Sequence, residues 1–408
     1  MSDIFWCVGG GVLQIPVIEN ARALGYRVLI TDGSPNCICA DIADEFFNVD
    51  IFDIEAHLEL ANRLSAKYTI TGVLAAGIDA PMTMSALCEH LGLPGVPVSI
   101  SETVHFKSKF REFSLENGID TPKFSVFNES NLAELSKELS KFSLPFIIKN
   151  VDSSGSRGTK IFYERNSQEE LRIAKEAIKC SKSNSFLVES VWTGIECTVE
   201  TLFDINGEFY PCFITDRIFD YTSGFPIEIG LISPSQLPII DQEACFELAH
   251  KVAKKLGIKI GAAKFDMIVT KDGPKIIEMT TRLSGGFDCQ YLVPASSGKN
   301  VIAAAILTAC GKKFPPHILQ PSKGLTAVTV SHWPPDGKIK FISGVREAQN
   351  LDGICHIFFR KTVGDIVQGY NDCADRVSFI IAVGEDLREA QLIAQNALDL
   401  IKIEVHDN

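Results

Sequence analysis

The segment 275–287, KIIEMTTRLSGGF, opens as an apolar strand and closes as a cluster of reactive groups. After Ile276 and Ile277 come a carboxylate (Glu278), two hydroxyls (Thr280 and Thr281), a guanidinium (Arg282) and two adjacent glycines (Gly285 and Gly286). A second carboxylate, Asp266, lies in the preceding run FDMIV, and Lys271, Asp272 and Gly273 make a turn between the two runs. Positions 266 and 278 are equidistant from residue 272, so a hairpin centred there makes them cross-strand partners on one face. Facing carboxylates repel unless a cation lies between them, and Mg2+ is the hard ion that takes oxygens from carboxylates and phosphates together. The alternative is an edge hairpin with solvated acids, which the apolar runs FDMIV and IIEM argue against. On the metal reading Asp266 and Glu278 bind the ion and Thr280 lends a neutral oxygen from the same side. Relief of the repulsion predicts that losing either carboxylate leaves the fold intact. Arg282 would neutralise charge on a transferred phosphoryl or acyl-phosphate oxygen. Gly285 and Gly286 would let backbone N–H groups reach an anionic substrate group such as a carboxylate.

Two further stretches have the composition of a nucleotide site. In PFIIKNVDSSGSRGTKIF, 145–162, a buried strand delivers Lys149, and a loop holding Ser154, Gly155, Ser156 and Gly158 follows. Small residues leave backbone N–H groups free to approach phosphate oxygens, and Lys149 adds a point charge. A plain hairpin turn reads the same residues equally well. In FLVESVWTGIECTVETLF, 186–203, Glu189 ends one strand and Glu196 enters the next. The link through Ser190 and Val191 can offer backbone N–H and C=O to an adenine edge, and Glu196 can hold two ribose hydroxyls. Solvated acids at strand ends are the competing reading. Near the N-terminus, Gly9, Gly10 and Gly11 follow a strand and Asp32 ends the next, which is the outline of a dinucleotide fingerprint. Gln14 stands at the third glycine position, so the loop also reads as a tight strand-to-helix turn beside a substrate.

These residues need elements to hold them. Residues 1–104 alternate strands and helices, which predicts a parallel, doubly wound α/β sheet. Residues 105–315 carry helices and antiparallel hairpins, one turning at Asn206 and Gly207 and one at 271–273. From 316 to 408 the pattern is α+β: three strand-like runs, with a Pro-Pro-Asp-Gly turn between the first two, and a final helix.

Composition bounds the function. The chain has 408 residues, too many for one ordinary core, with 46% hydrophobic and 22% charged residues. Its 39 basic and 51 acidic residues give a net charge of −12, which argues against a nucleic-acid partner. The 12 cysteines show no C-x-x-C spacing and read as reduced thiols. The start, MSDIFWCVGGG, lacks the basic region of a signal peptide, and no apolar run reaches the length of a membrane span. The expected location is the cytoplasm, with no membrane partner.

In this order the elements resemble the ATP-grasp superfamily, in its carboxylate–amine ligase branch with the L-amino-acid ligases and biotin-carboxylase-like enzymes. The resemblance covers nearly the whole chain. Lys107, Arg111, Gly118 and Pro122 match its opening motif, Lys149 its second ATP lysine, Glu189 and Glu196 its hinge and ribose acid, and Asp266 and Glu278 its metal carboxylates. The family writes its last motif Glu-x-Asn-x-Arg; here Thr280 replaces Asn, and a hydroxyl binds Mg2+ more weakly than an amide carbonyl. Relatives often carry His where this chain has Leu231, while the matching acid, Glu228, remains beside the substrate.

The resemblance implies a pre-ATP-grasp α/β domain (1–104), an ATP-grasp domain of two antiparallel-sheet subdomains (105–315, lid about 122–187), and a small C-terminal β-rich domain (316–408). It further implies ATP and two Mg2+ ions, with Mn2+ able to substitute. The expected reaction activates a small carboxylate, an amino acid, as an acyl phosphate and joins it to an amine, releasing ADP and phosphate. A homodimer is also expected. The alternatives are a biotin-carboxylase-like or purine-ribotide carboxylating enzyme, or an NAD-dependent dehydrogenase built on Gly9–Gly11 and Asp32.

Overall fold

A computed structural model describes residues 2–153, 155–371, 373 and 376–406. The first strands, Ser2–Val8, Arg27–Asp32 and Tyr68–Ala75, are parallel, as the βαβ alternation predicts. A fourth strand, Glu45–Asn48, extends the sheet beyond Arg27–Asp32. Its four residues sit at an edge and carry too short a pattern to be read in sequence. Successive side chains of Ser2–Val8 enter two different cores: Phe5 and Cys7 meet Val17, Ile18 and Ala305, while Ile4, Trp6 and Val8 meet Leu60, Ala61 and Leu87. Both faces are therefore covered by helices, as a parallel sheet requires.

A four-stranded antiparallel sheet holds Phe124–Asn128, Ser185–Ser190, Phe146–Asn150 and Lys160–Phe162, in that order. Below it lies an eight-stranded sheet. Gly273–Thr280, Gly261–Thr270, Ile195–Phe203, Phe209–Asp220 and Ile227–Ser233 run through it in order, followed by Thr326–Val330, Ser378–Gly384 and Ile354–Phe359. The last three come from the region beyond 316, and they join by direct pairing of Leu231 with Thr329 and Ile232 with Val328. A boundary at 315 therefore falls within one continuous sheet. The strands on either side of the Pro-Pro-Asp-Gly turn do not pair with each other. Thr326–Val330 stays in the large sheet, while Gly337–Ser343 pairs with Ile366–Val367 and Lys402–His406 in a separate three-stranded sheet. Two consecutive prolines lack the N–H groups that a ladder needs and carry the chain from one sheet to the other. No helix among the described residues is long and apolar enough to cross a membrane.

The predicted 266–278 pairing is present, and a β-bulge produces it. Near the turn Thr270 pairs with Gly273 and Met267 with Ile276; the register then shifts by one residue at Ile277, so that Asp266 faces Glu278. Without the extra residue Asp266 would face Ile277. Arg111, from the helix Lys107–Glu116, donates from Nη2 to the Ile277 carbonyl at 2.6 Å. The same guanidinium binds both oxygens of Glu189 on the upper sheet, at 2.8 and 3.3 Å, and Lys149 Nζ lies 2.6 Å from Glu189 Oε2. All three side chains are buried. One ion-paired triad thus ties a helix, the upper sheet and the bulged strand together.

A polar layer lies behind this triad, where the sheet meets the turn 284–290. Ser284 N donates to Glu200 Oε2 at 2.7 Å, while Glu200 Oε1 and Asp288 Oδ1 are buried without a hydrogen-bond partner among the described residues. Burial pushes the Glu200 carboxyl up to about 7, and burial, reinforced by the Glu228 charge, pushes Asp288 up to about 8.

Two expected outcomes follow from these buried charges. Arg111→Met leaves a buried carboxylate with one partner instead of two and should lower unfolding stability by about 3–5 kcal/mol in urea titrations near neutral pH. Burial alone would raise Glu189, but Arg111 and Lys149 outweigh it and hold the carboxyl down at about 2. The wild-type contribution is then complete above the unfolded carboxylate pKa and is lost as pH falls toward the folded value, a loss that Glu189→Gln should not show. Asp288 has the opposite sign. The folded state holds a proton that the unfolded state has released, so stability falls as pH rises from about 4 to about 8. Asp288→Asn should flatten that fall; a melting temperature that drops just as steeply would show that Asp288 does not hold the proton.

Candidate active site

A cavity of about 670 Å³ separates the upper sheet from the eight-stranded sheet. Lys107, Lys149, Gly155, Ser156, Glu189, Ser190, Val191, Glu196, Glu228, Glu278 and Gly286, all singled out from sequence, line it. Ser154 lies outside the described residues. Five of the residues selected from sequence are not on the wall: Asp266, Thr280, Arg282, Gly158 and Gly285.

The reasons are physical. Gly158 packs closely against a helix: a Cβ there would come within 2.9 Å of Ala177 Cα. Gly285 lies against Gly77, whose Cα is 3.3 Å from the Cβ position. Arg282 donates to the Leu283 carbonyl at 2.9 Å and to Asp79 at 3.4 Å, and its Nε is buried without a partner among the described residues. Asp79 is the group that faces the cavity in its place. Leu231 is 3% exposed and packs under Phe287 and Phe379, so it shapes the site from behind.

The glycine loop is closed over the cavity. Ser156, at φ +61, donates its hydroxyl to the Pro226 carbonyl at 2.7 Å, and the Gly155 carbonyl accepts from Cys373 N at 3.3 Å. Gly155, at φ +72, has open space where a Cβ would stand. At the root of the loop Lys107 Nζ donates to the Ser153 carbonyl at 2.8 Å and lies 3.5 Å from Glu278 Oε2. The loop base, one lysine and one predicted metal ligand therefore share a corner of the cavity.

Asp266 is not a bare carboxylate awaiting a cation. It is 1% exposed, accepts from Thr198 Oγ1 at 3.0 Å, lies 3.2 Å from Arg217 Nη1, and is bound by Lys264 Nζ. This corrects the expectation that removing one acid only relieves repulsion: loss of the Asp266 charge takes a carboxylate away from two half-buried cations, Lys264 and Arg217. For Glu278, burial works to raise the pKa, but the charges of Lys107, Lys264 and Lys149 outweigh it and hold the carboxyl well below its usual range. Glu278 keeps 35% of its side chain exposed, toward the cavity. Two hard carboxylates on one face, one open to a phosphate-sized space, fit Mg2+, which takes one or two protein carboxylates and fills its shell with phosphate oxygens and water.

Sequence reading missed Arg217, the cation at the centre of the floor. It lies on Phe209–Asp220, within 2.8 Å of Glu228, 3.2 Å of Asp266 and 4.0 Å of Glu196. Its signal was present: a charged residue in the apolar run CFITDRIFDY, one strand away from Glu196. Arg376 was missed as well. It lies 3.7 Å from Glu228 Oε1, also donates to the Glu228 carbonyl, and sits over the Phe379 ring at 4.3 Å. Glu196 accepts from the Tyr221 hydroxyl, and burial raises its pKa against the pull of Arg217.

The dinucleotide reading fails on geometry. Asp32 accepts from Gly10 N and Ser34 N at 2.8 Å each, and a Cβ on Gly10 would lie 2.4 Å from Cys37 Sγ. Gln14 Oε1 accepts from Gly11 N at 2.9 Å. The loop satisfies its own donors, and the glycines serve close packing.

Comparison with known proteins agrees with this geometry. Residues 142–290 match the model of the ATP-grasp domain, and residues 332–406 match that of the L-amino acid ligase C-terminal domain 2. The chain is 25% identical to phosphoribosylamine–glycine ligase of Pyrococcus furiosus, over 97% of this chain and 91% of that protein. Its fold superposes on the crystal structure of L-amino acid ligase from Bacillus licheniformis with a TM-score of 0.82 at 21% identity, covering 100% of this chain and 99% of that one. The biotin carboxylase domain dimer of Hydrogenobacter thermophilus 2-oxoglutarate carboxylase, solved with MgADP and bicarbonate, superposes at 0.74 with 18% identity, covering 98% and 90%. The match at 332–406 does not favour the carboxylating alternatives. Two carboxylates facing across a bulge, two lysines at the root of a glycine loop and these matches lead to one assignment: residues 142–290 form an ATP-grasp domain, and residues 332–406 match the C-terminal domain 2 of L-amino acid ligases.

Proposed function

We propose that this chain joins the carboxylate of an amino acid to an amine, with ATP as phosphoryl donor and ADP and phosphate as products. The observation that carries this reading is the chain of paired charges along the cavity floor, Lys107–Glu278 at one end and Arg217–Glu228 at the other, with Asp266 beneath them facing Glu278 and bound to Arg217. Such a run suits a substrate that passes negative charge along it. A carboxylate oxygen attacks the γ-phosphorus, the bond to ADP breaks, and an acyl phosphate forms. The amine nitrogen then attacks the carbonyl carbon, phosphate leaves, and the nitrogen loses its proton.

In this reading Ser190 and Val191 meet the adenine edge through their backbone and Glu196 takes the ribose hydroxyls. Lys107, Lys149, Gly155 and Ser156 hold phosphates. Asp266 and Glu278, with Thr280 on the same side, would hold two Mg2+ ions, for which Mn2+ would substitute because it accepts the same oxygen donors. The metal supplies charge neutralisation between phosphate oxygens. Glu189 contributes by fixing Arg111 and Lys149. Arg217 faces the substrate carboxylate, and Arg282 approaches from behind Asp79 to neutralise the transferred group.

Release of phosphate and ADP on a panel of amino acids, dependent on both ATP and an amine, tests the reading; ATP turnover indifferent to every amino acid would overturn it. Glu278→Gln should abolish that turnover with little change in melting temperature, because this acid is partly open to the cavity. Asp266→Asn should abolish turnover and also lower the melting temperature, since this buried carboxylate is paired with the half-buried Lys264 and Arg217. Retained turnover in either variant would remove the metal assignment.

Arg282→Lys keeps the charge but loses the planar fork. Turnover should fall about a hundredfold, the effect of losing one transition-state donor, with the ATP affinity unchanged. If Arg282 serves only to pair Asp79 and the Leu283 carbonyl, the same variant lowers the melting temperature and leaves turnover alone.

A further inference from the structure

The end of the cavity away from the 189–191 link has a chemistry that phosphate binding does not use. Val12 and Leu13 close it from the first strand-to-helix connection, and Phe287, Phe358 and Phe379 close it from the far side. The five belong to one apolar cluster, with the Phe287 ring 4.7 Å from Phe358 and 4.4 Å from Phe379. Phe287 stands at φ +71, a backbone region that a bulky residue occupies only when its surroundings impose it. Beside this wall sit one carboxylate and two guanidinium groups. Glu228 is 2.8 Å from Arg217 and 3.7 Å from Arg376, and the Arg376 Nε is buried without a partner among the described residues. Gly286 keeps the space between wall and charges open: a Cβ there would lie 3.9 Å from Glu228 Oε1 and 3.4 Å from Leu231 Cδ1.

An apolar wall next to paired opposite charges matches a zwitterion with an apolar side chain. A charged side chain placed against Val12, Leu13 and the three phenylalanines would leave water without gaining a partner. Arg360 is an exposed cation at the rim of the cavity, where its Nη1 donates to the Cys373 carbonyl, so an acidic side chain is the competing ligand.

The geometry points to an α-amino acid with an apolar side chain, aromatic or branched, as the carboxylate substrate. Its side chain lies against Phe287, Phe358 and Phe379, its ammonium group faces Glu228, and its carboxylate faces Arg217. This rests on the ligase reading above, which assigns the site to an amino acid without specifying the side chain.

The test uses two readouts on the full chain. The first is calorimetric binding, with ADP and Mg2+ present, of L-phenylalanine, L-leucine, glycine, L-aspartate and L-lysine. The second is ATP-dependent phosphate release with the same five, each offered with a common amine. L-Phenylalanine or L-leucine should bind at least tenfold more tightly than glycine, L-aspartate and L-lysine, since apolar pocket contacts discriminate by about ten- to a hundredfold. Equal binding, or tighter binding of L-aspartate through Arg360, overturns the inference whatever the turnover. Preferred apolar binding without phosphate release supports the inference about the pocket and counts against the ligase reading, so the two failures are distinct. Phe358→Ala should reduce the L-phenylalanine-to-glycine affinity ratio about tenfold or more and leave ADP affinity unchanged. Should that variant fail to fold, Phe358→Leu should shift the ratio from L-phenylalanine toward L-leucine. An unchanged ratio in a folded variant overturns the role of the aromatic wall.

Discussion

The contacts of one guanidinium decide where the reacting groups stand. Arg111 binds the carboxylate of Glu189 above it and the carbonyl of Ile277 below it, and it is buried while doing both. An isolated charge of this kind would be too costly to bury, so the arrangement exists only if helix, upper sheet and bulged strand all arrive together. Removing the upper sheet leaves the Arg111 charge unpaired, and removing the helix leaves the Ile277 carbonyl unbonded and Glu189 with Lys149 alone. The bulge at Ile277 is thereby fixed in place, and the bulge is what brings Glu278 opposite Asp266. A fold-stabilising contact and the alignment of the proposed metal pair are the same contact.

Charge is balanced along the floor before any nucleotide arrives. Asp266 has Lys264 and Arg217, Glu228 has Arg217 and Arg376, and Glu278 has Lys107. On the proposed function, these cations would give up part of their pairing to the metal and the substrate. Their side chains are long enough to change partner without moving the backbone, so the floor need not reorganise when the ligand charges enter. Pre-organised charges of this kind lower a barrier without a structural cost at the moment of reaction.

The parts legible in sequence were those set by local pattern. The βαβ alternation gave the parallel sheet, Asn206 and Gly207 marked a true hairpin with Gly207 at φ +79, and symmetry about residue 272 paired Asp266 with Glu278. The pairing was reached through a uniform ladder, whereas the protein uses a two-residue turn plus a bulge; both give the same partner because a bulge shifts register by one. What could not be read depends on distant packing. Gly158 looks like a phosphate-loop glycine until Ala177 is seen against it, and Arg282 looks exposed to substrate until Asp79 takes its guanidinium. Arg217, on Phe209–Asp220, and Arg376, just before Ser378–Gly384, are far apart in the chain, and the sheet order brings them to Glu228.

The continuity of the eight-stranded sheet sets how this enzyme can be taken apart. Leu231, Ile232 and Ser233 are hydrogen-bonded to the strand Thr326–Val330, which in turn carries Ser378–Gly384 and Ile354–Phe359. The residues around Phe358 and Phe379 are therefore bolted to the floor that holds Asp266 and Glu228, and they move with it as one body. A C-terminal segment transplanted from another ligase would have to reproduce that strand pairing before its side chains could matter. Among the described residues the upper sheet, by contrast, has no ladder to the floor. Recombination should thus succeed more readily across the nucleotide-covering sheet than across the border at 315, although sequence alone would place the module boundary at the latter.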